Sequence, residues 1–230
     1  MLKNIIECCA NSVKSAQIGI KAGANRVELC ANLKTGGTTP KHKDIQKLRH
    51  LTNIKIHVLI LPKANKFTYS EEEFQKIIND IEFCKKIGCD GVVVGALKKD
   101  QSINIVQTKK MVKTARPMKV TFHRAFDVAC DLENSLENII ACKCDYLLTS
   151  GQKESVEQGL KNLKQLSKLS NNRINILAGG GVNSKNIKTL YNIGIREFHL
   201  SGSEKNKTGI METNYNNIHN TVNQLITLEN

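Results

Sequence analysis

Residues 70–95, SEEEFQKIINDIEFCKKIGCDGVVVG, contain the repeating unit that determines the fold. Ser70, followed three residues later by Glu73, forms a capping box, which predicts that a helix begins here. Apolar residues then recur at helical spacing over residues 71–87, and Gly88 stands where glycine commonly follows a helix end. The stretch ends in a short run rich in valine, as in a buried strand. It therefore predicts a helix, a glycine turn and a strand in succession.

The same alternation of short apolar runs and helical segments extends in both directions, without a linker or a change in composition. It predicts strands at residues 5–9, 26–30, 55–61, 91–95, 119–122, 145–149, 175–178 and 197–200, and helices at residues 12–22, 43–51, 71–87, 106–114, 133–141, 156–169, 184–191 and 215–228. Strands that alternate with helices form a parallel sheet with right-handed crossovers, and eight such units favour a closed barrel. We therefore predict an α/β protein, a single TIM-type (β/α)8 barrel that occupies residues 1–230 as one domain.

The composition argues against several classes of protein. Lysine and arginine exceed aspartate and glutamate by 34 to 21, but 28 of the basic residues are lysines scattered along the chain. Without a basic block or interleaved aromatic residues, we do not expect nucleic-acid binding. No apolar run approaches the roughly 20 residues of a membrane span, and Glu7 interrupts any signal-type apolar segment. We expect a cytoplasmic protein whose cysteines are reduced. A homodimer that forms through the outer helices is one possible assembly.

Polar side chains gather where the first two predicted strands end, and barrel proteins place their chemistry at the carboxyl ends of their strands. Because alternate residues of a strand share a face, Arg26, Glu28 and Cys30 would point into the barrel. Glu7 and Cys9 would join them from the neighbouring strand. Unpaired buried charges are costly, so we interpret the cluster as a functional site. An arginine–glutamate network that fixes strand register is the alternative.

The segment after the fifth strand, TFHRAFD at residues 121–127, offers a second group of functional side chains. His123 is a candidate general base, Arg124 a clamp for an anion and Asp127 the carboxylate that orients them. A histidine in a barrel is often a satisfied core residue, but the arginine and aspartate beside it favour a functional interpretation. His57 lies early in its strand and is a weaker candidate.

Glycines follow the seventh strand at Gly179, Gly180 and Gly181, and Ser201 follows the eighth. The loops after these two strands commonly bind phosphate in barrels, because glycine lets backbone N–H groups approach an anion. We therefore predict that these four residues bind an anionic group.

Two cysteines, Cys9 and Cys30, are expected on neighbouring strands with both side chains facing inward. Two thiolates in a reducing compartment suit Cu(I). They could equally be packing residues, or one could be a nucleophile activated by a nearby arginine or histidine. Cys142 and Cys144 have the spacing of a metal site but lie at the amino end of the sixth strand, where we interpret them as structural.

A series of motifs runs in order along nearly the whole chain. They are Glu7–Cys9 with Asn11 and Ser12, GANRVELC at residues 23–30, GGTTP at 36–40, TFHRAFD at 121–127, LLTSG at 147–151 and GGGV at 179–182. Together they resemble the CutC copper-homeostasis family, and the TFHRAFD string is highly specific. The resemblance implies a TIM-type barrel, a cytosolic location and a role in copper handling. It also implies that Cu(I) is bound by the matching cysteines, Cys9 and Cys30.

One stretch departs from the family pattern. The third strand of the family typically runs into Arg-Pro-Arg-Gly-Gly-Asp-Phe, whereas this chain has LPKANKF at residues 61–67. Leu61 and Lys63 stand where the two arginines would be. If those arginines clamp an anion in relatives, the pocket of this chain is altered.

Two main hypotheses about function follow, and a nucleic-acid binder that relies on the net charge of +13 is a third, less favoured one. In the first, the protein binds Cu(I) in copper homeostasis, with Cys9 and Cys30 as ligands and His123 as a third ligand or a partner of one. In the second, it is an enzyme that acts on a small anionic or phosphorylated metabolite. Then His123 and Glu28 would be acid and base, and the glycine loop would cradle the anion. In this second hypothesis, Arg26 and Arg124 would bind the anionic group of the substrate.

Overall fold

The computed structural model describes residues 4–205 and 211–230. Eight parallel strands close into a barrel in chain order, with β8 hydrogen-bonded to β1. The strands are β1 (Ile5–Ala10), β2 (Arg26–Leu29), β3 (Lys55–Leu59), β4 (Gly91–Val94), β5 (Lys119–Phe122), β6 (Tyr146–Thr149), β7 (Asn175–Gly179) and β8 (Glu197–Leu200). The helices are α1 (Val13–Lys21), α2 (His42–Leu51), α3 (Glu71–Lys86), α4 (Ile105–Ala115), α5 (Leu132–Ala141), α6 (Leu160–Ser170), α7 (Ile187–Asn192) and α8 (Tyr215–Glu229). The predicted (β/α)8 barrel is confirmed.

The unit that decides the fold has the predicted local structure. The Ser70 side chain accepts a hydrogen bond from the Glu73 backbone, and the Glu73 side chain accepts one from the Ser70 backbone. These two bonds satisfy N–H groups that the first turn of α3 leaves without a helical partner. After the helix, Gly88 has φ +78, in the left-handed region that glycine adopts without steric cost. The chain can therefore reverse and enter β4 within a few residues.

Alternate strand residues divide between two apolar layers. Val27 and Leu29 belong to the main core between the strands and the helices. A second, smaller cluster fills the inside of the barrel near the carboxyl ends of its strands; it consists of Cys9, Cys30, Leu59, Leu61 and Val93. The alternation predicted for β2 is confirmed, since its odd-numbered apolar residues face the helices and its polar residues face inward.

Several elements differ in their bounds from the prediction; β3 ends at Leu59 and not at residue 61, and α7 begins at Ile187 and not at residue 184. Helix α6 begins at Leu160 and not at residue 156, because the preceding residues turn over the end of β7, where the Val156 N–H donates to the Gly180 carbonyl at 2.8 Å. Beyond β8, the strands β9 (Ser203–Lys205) and β10 (Met211–Thr213) pair antiparallel. At three residues each, these strands are too short to give a recognisable alternation in the sequence. Among the described helices, none combines the length and the apolar character that a membrane span requires.

Candidate functional site

A cavity of about 300 Å³ opens at the carboxyl ends of the barrel strands. This volume lies at the lower end of the range for small-molecule sites. Of the residues predicted from the sequence, the cavity is lined by Cys9, Glu28, Cys30, His123, Arg124, Gly180, Gly181 and Ser201. Arg26, Asp127 and Gly179 are not among the lining residues. Eight of the eleven predicted site residues therefore share one cavity, and the other three do not line it.

The two inward thiols, Cys9 and Cys30, lie together on one wall. Their sulfur atoms are 4.0 Å apart, about twice the length of a disulfide bond, so both are free thiols. The Cys30 thiol is also within 3.5 Å of the Ala10 carbonyl oxygen. The contact with Cys30, together with burial, raises the pKa of the Cys9 thiol well above its usual value. Both side chains are buried, so any ion bound between them would be shielded from water.

Beneath the thiols lies a buried ionic network centred on Glu7 and Arg26. The Arg26 Nε atom donates to a carboxylate oxygen of Glu7, and its Nη2 atom lies 3.0 Å from Glu197 in a second ion pair. The guanidinium group also stacks over the Tyr146 ring, 4.6 Å from its centre. Burial alone would raise the pKa of Glu7, but the charges of Arg26 and His199 outweigh it and hold that pKa well below its usual range. Arg26 is thus committed to two carboxylates and does not reach the cavity as an anion clamp.

His199 on β8 connects this network to the cavity, and the sequence did not single it out. Its Nδ1 atom lies 2.7 Å from Glu7 Oε1, and its Nε2 atom lies 3.4 Å from Glu28 Oε2. Burial lowers the pKa of His199, but the two carboxylates more than compensate, so that its pKa is raised. The signal that could have found it is register, because β8 pairs with β1 and places His199 opposite Glu7.

Glu28 is the carboxylate that faces the cavity. Burial raises its pKa to about 7, against the attraction of His199, and the nearby charge of Glu7 adds to the increase. One side-chain donor atom each from Cys9, Glu28 and His199 lie within 4.8 Å of one another. The imidazole in this group is that of His199, whereas the sequence suggested His123 as a third ligand or as a partner of one.

His123 lines the cavity as a neutral imidazole. It precedes a short 3-10 helix, Arg124–Val128, and its Nδ1 atom accepts a hydrogen bond from the Ala125 backbone N–H at 3.2 Å. The proton is thereby assigned to Nε2. Burial lowers the pKa of His123 to about 4, which leaves it uncharged near neutral pH. It can donate one hydrogen bond but is a poor general acid.

Arg124 and Asp127 form a separate pair. The Arg124 Nε atom donates to Asp127 Oδ2 at 2.6 Å, and its Nη2 atom donates to Ser150 Oγ at 2.8 Å. Asp127 also accepts from the Ser150 and Gln152 backbone N–H groups. Of the two neighbours that Asp127 could orient, it therefore contacts Arg124 and not His123, and it also anchors the loop after β6. The reason is local, because His123 already bonds the backbone of its own 3-10 turn.

The glycine loop after β7 allows a close approach of Arg124. Gly180 has φ +108, and a Cβ atom there would lie 3.3 Å from the Arg124 guanidinium group. Gly179 still belongs to β7 and packs against Leu148, which explains why it does not line the cavity. Ser201 follows the neighbouring strand β8, is partly exposed and accepts a hydrogen bond from the Ser203 N–H at 3.3 Å.

The stretch that departs from the family pattern forms an apolar wall. Leu61 is buried beside the thiols, and Phe67 also lines the cavity, with its ring 5.1 Å from that of His123. Lys63 is exposed and does not line it. His57, the weaker candidate, lies below the cavity with its Nδ1 atom 3.7 Å from Glu7. The cavity therefore has an apolar side and a polar side, the latter formed by Glu28, His199 and Arg124.

These features define a class: a (β/α)8 barrel with two buried thiols at the carboxyl ends of its first two strands and, beneath them, a network of paired charges that joins its first, second and eighth strands. Residues 4–204 match the model of the CutC family, and the chain belongs to that family. A CutC family protein of Bacteroides fragilis is 44% identical over 212 residues, covering 91% of this chain and 84% of that protein. One from Pasteurella multocida is 42% identical over 198 residues, covering 86% and 81%. The predicted family is confirmed.

Solved structures support the same assignment. A crystal structure of CutC from Streptococcus agalactiae, provisionally described as a copper homeostasis protein, superposes with a TM-score of 0.81 at 29% identity. The superposition covers 86% of this chain and 98% of the Streptococcus agalactiae chain. A thiamine phosphate pyrophosphorylase from Pyrococcus furiosus superposes with a TM-score of 0.66 at only 12% identity, and that similarity shows the fold alone.

Proposed function

We propose that this protein acts in copper homeostasis in the cytoplasm and binds Cu(I) through the thiolates of Cys9 and Cys30. The observation that carries the proposal is the 4.0 Å distance between the two sulfur atoms. Two thiolates that each lie about 2.3 Å from one ion, a zinc–thiolate distance taken for scale, are at most about 4.6 Å apart. The pair can therefore share an ion with little movement.

The surroundings of the thiols suit a soft monovalent ion. Sulfur ligands favour Cu(I) over harder cations. On the apolar side, Leu59, Leu61 and Val93 pack around the two cysteines, which keeps water away from a bound ion. The raised pKa of Cys9 means that the ion must displace a firmly held proton, so copper binding releases protons and strengthens as the pH rises.

The test is a Cu(I) competition titration of the reduced full chain against a chromogenic chelator. Cys9→Ser and Cys30→Ser should each lower the affinity by more than the roughly 10- to 100-fold that the loss of an outer-shell partner costs. Cys130→Ser is the matched control, because Cys130 is an exposed cysteine, and it should bind as the parent does. Equal affinity in all three variants would refute the thiol site.

The second hypothesis, an enzyme for a small anionic metabolite, has weaker support. Arg26 is enclosed by Glu7 and Glu197, and His123 is neutral with a pKa of about 4. Of the two arginines assigned to bind the anion, only Arg124 lines the cavity, and of the two groups assigned to exchange protons, only Glu28 is suited to do so.

A further inference from the structure

Three donor atoms of different chemistry meet at the polar side of the cavity. The sulfur of Cys9, a carboxylate oxygen of Glu28 and a ring nitrogen of His199 lie within 4.8 Å of one another. Their residues are only 4%, 3% and 9% exposed. A thiolate, a carboxylate and an imidazole together form a ligand set typical of zinc, whereas Cu(I) favours sulfur. Cys30 does not belong to this set.

The position of His199 is the second observation that points to a metal ion. Glu7 is ion-paired to Arg26, so its carboxylate accepts a hydrogen bond from His199 Nδ1–H at 2.7 Å. In the neutral ring this bond leaves the lone pair on Nε2, which lies 3.4 Å from Glu28 Oε2, so a metal ion bound there takes the place of a proton. A carboxylate that holds the far nitrogen of a histidine is the usual outer-shell arrangement around a metal-bound imidazole.

We propose that Cys9, Glu28 and His199 form a site for a divalent ion of the zinc type, with Glu7 as the positioning residue behind His199. Three protein ligands with a remaining open position are characteristic of catalytic rather than structural zinc sites. All three ligands line the cavity, so the open position is directed into it and takes an oxygen donor such as water or a carboxylate. The proposal shares only Cys9 with the copper site, and the two ions compete for that thiolate.

Zinc K-edge X-ray absorption on the reduced full chain loaded with one equivalent of Zn²⁺ tests the ligand set directly. The expected first shell has one sulfur, with nitrogen and oxygen completing it. Two sulfur scatterers would place the ion between Cys9 and Cys30 and overturn the proposal.

Chelator competition with Zn²⁺ separates the two sites. Glu28→Gln and His199→Gln should each lower zinc affinity by about a hundredfold or more, a loss larger than an outer-shell change causes. Cys30→Ser should keep zinc affinity within about threefold of the parent, although the same variant is expected to lose Cu(I). Circular dichroism and thermal melting verify that each variant is folded. Unchanged zinc affinity in both Glu28→Gln and His199→Gln would overturn the site, whatever the outcome for copper.

Co²⁺ in place of Zn²⁺ provides a spectroscopic test of the open position. Acetohydroxamate, an oxygen ligand, should shift the visible absorption bands of the Co²⁺ protein, because it enters the vacant coordination position. A spectrum that does not respond at saturating acetohydroxamate would overturn the open-position assignment.

Discussion

Glu7 Oε1 and His199 Nδ1 lie 2.7 Å apart although 192 residues separate them in the chain. The contact exists because β8 closes the barrel against β1 and places the two residues opposite each other. On its other side Glu7 is paired with Arg26, the register partner of Glu7 on β2. One buried carboxylate thus links the first, second and last strands, so barrel closure and the orientation of the site depend on the same group.

Replacement of Glu7 by glutamine should destabilise the protein. The change leaves Arg26 buried with one carboxylate partner fewer, and breaking a buried ion pair typically costs about 3–5 kcal/mol. Because Glu197 still neutralises part of the charge, we expect a loss of about 3 kcal/mol in the free energy of unfolding, measured by urea denaturation.

Glu72→Gln is the matched control for that prediction, since Glu72 forms an exposed pair with Lys76 one helical turn away. Exposed pairs of this kind are screened by solvent and contribute little, so the control should unfold almost as the parent does. If Glu7→Gln cost no more than the control, the buried network would not stabilise the barrel.

The sequence predicts the fold well, because the fold depends on periodicity, and the same periodicity assigns residues to the inside of the barrel. Alternation in β2 assigns Glu28 and Cys30 to the inside, and the structure brings both to the cavity. Alternation does not give depth along the barrel axis. Arg26 has the same parity but lies lower, where it meets Glu7 and Glu197.

The partners of polar groups were less predictable. To predict that His199 contacts Glu7, one must know that the last strand pairs with the first, and the sequence indicates that pairing only if the barrel is assumed to be closed. Asp127 follows His123 by four residues, yet it bonds to Arg124 and to the loop after β6. Which of several nearby donors a carboxylate selects is decided by the conformation of that loop, and no spacing rule encodes it.

The stability of the protein should depend on His123 in mildly acidic solution. Its pKa falls from 6.5 in the unfolded chain to about 4 in the folded protein, because burial disfavours the charged ring. Between these values the unfolded state binds the proton and the folded state does not, so stability falls as the pH drops from 6.5 to 4. The shift corresponds to about 3 kcal/mol across that window.

Other groups titrate in the same range, so the comparison must be between variants. Glu28, with its pKa raised to about 7, acts in the opposite direction, since its stabilising effect declines as the pH rises from 4.5 to 7. The difference in unfolding free energy between the parent and His123→Gln should therefore change with pH between 6.5 and 4. A constant difference for His123→Gln would contradict the assignment of a buried neutral ring.

Gly95 and His123 should be energetically coupled. A Cβ atom on Gly95 would lie 2.5 Å from the His123 ring, closer than real Cβ contacts, while φ at Gly95 is outside the left-handed region. Steric overlap is thus the main cost of Gly95→Ala, and overpacking of this kind typically costs about 1–3 kcal/mol. Replacing His123 by alanine makes room for the added methyl group, so the double variant should be more stable than the sum of the single changes by at least about 1 kcal/mol. As a control, Gly95→Ala combined with His50→Ala, at an exposed position, should change the free energy of unfolding by the sum of the two single changes. If the changes were additive in both double variants, the His123 ring would not pack against Gly95.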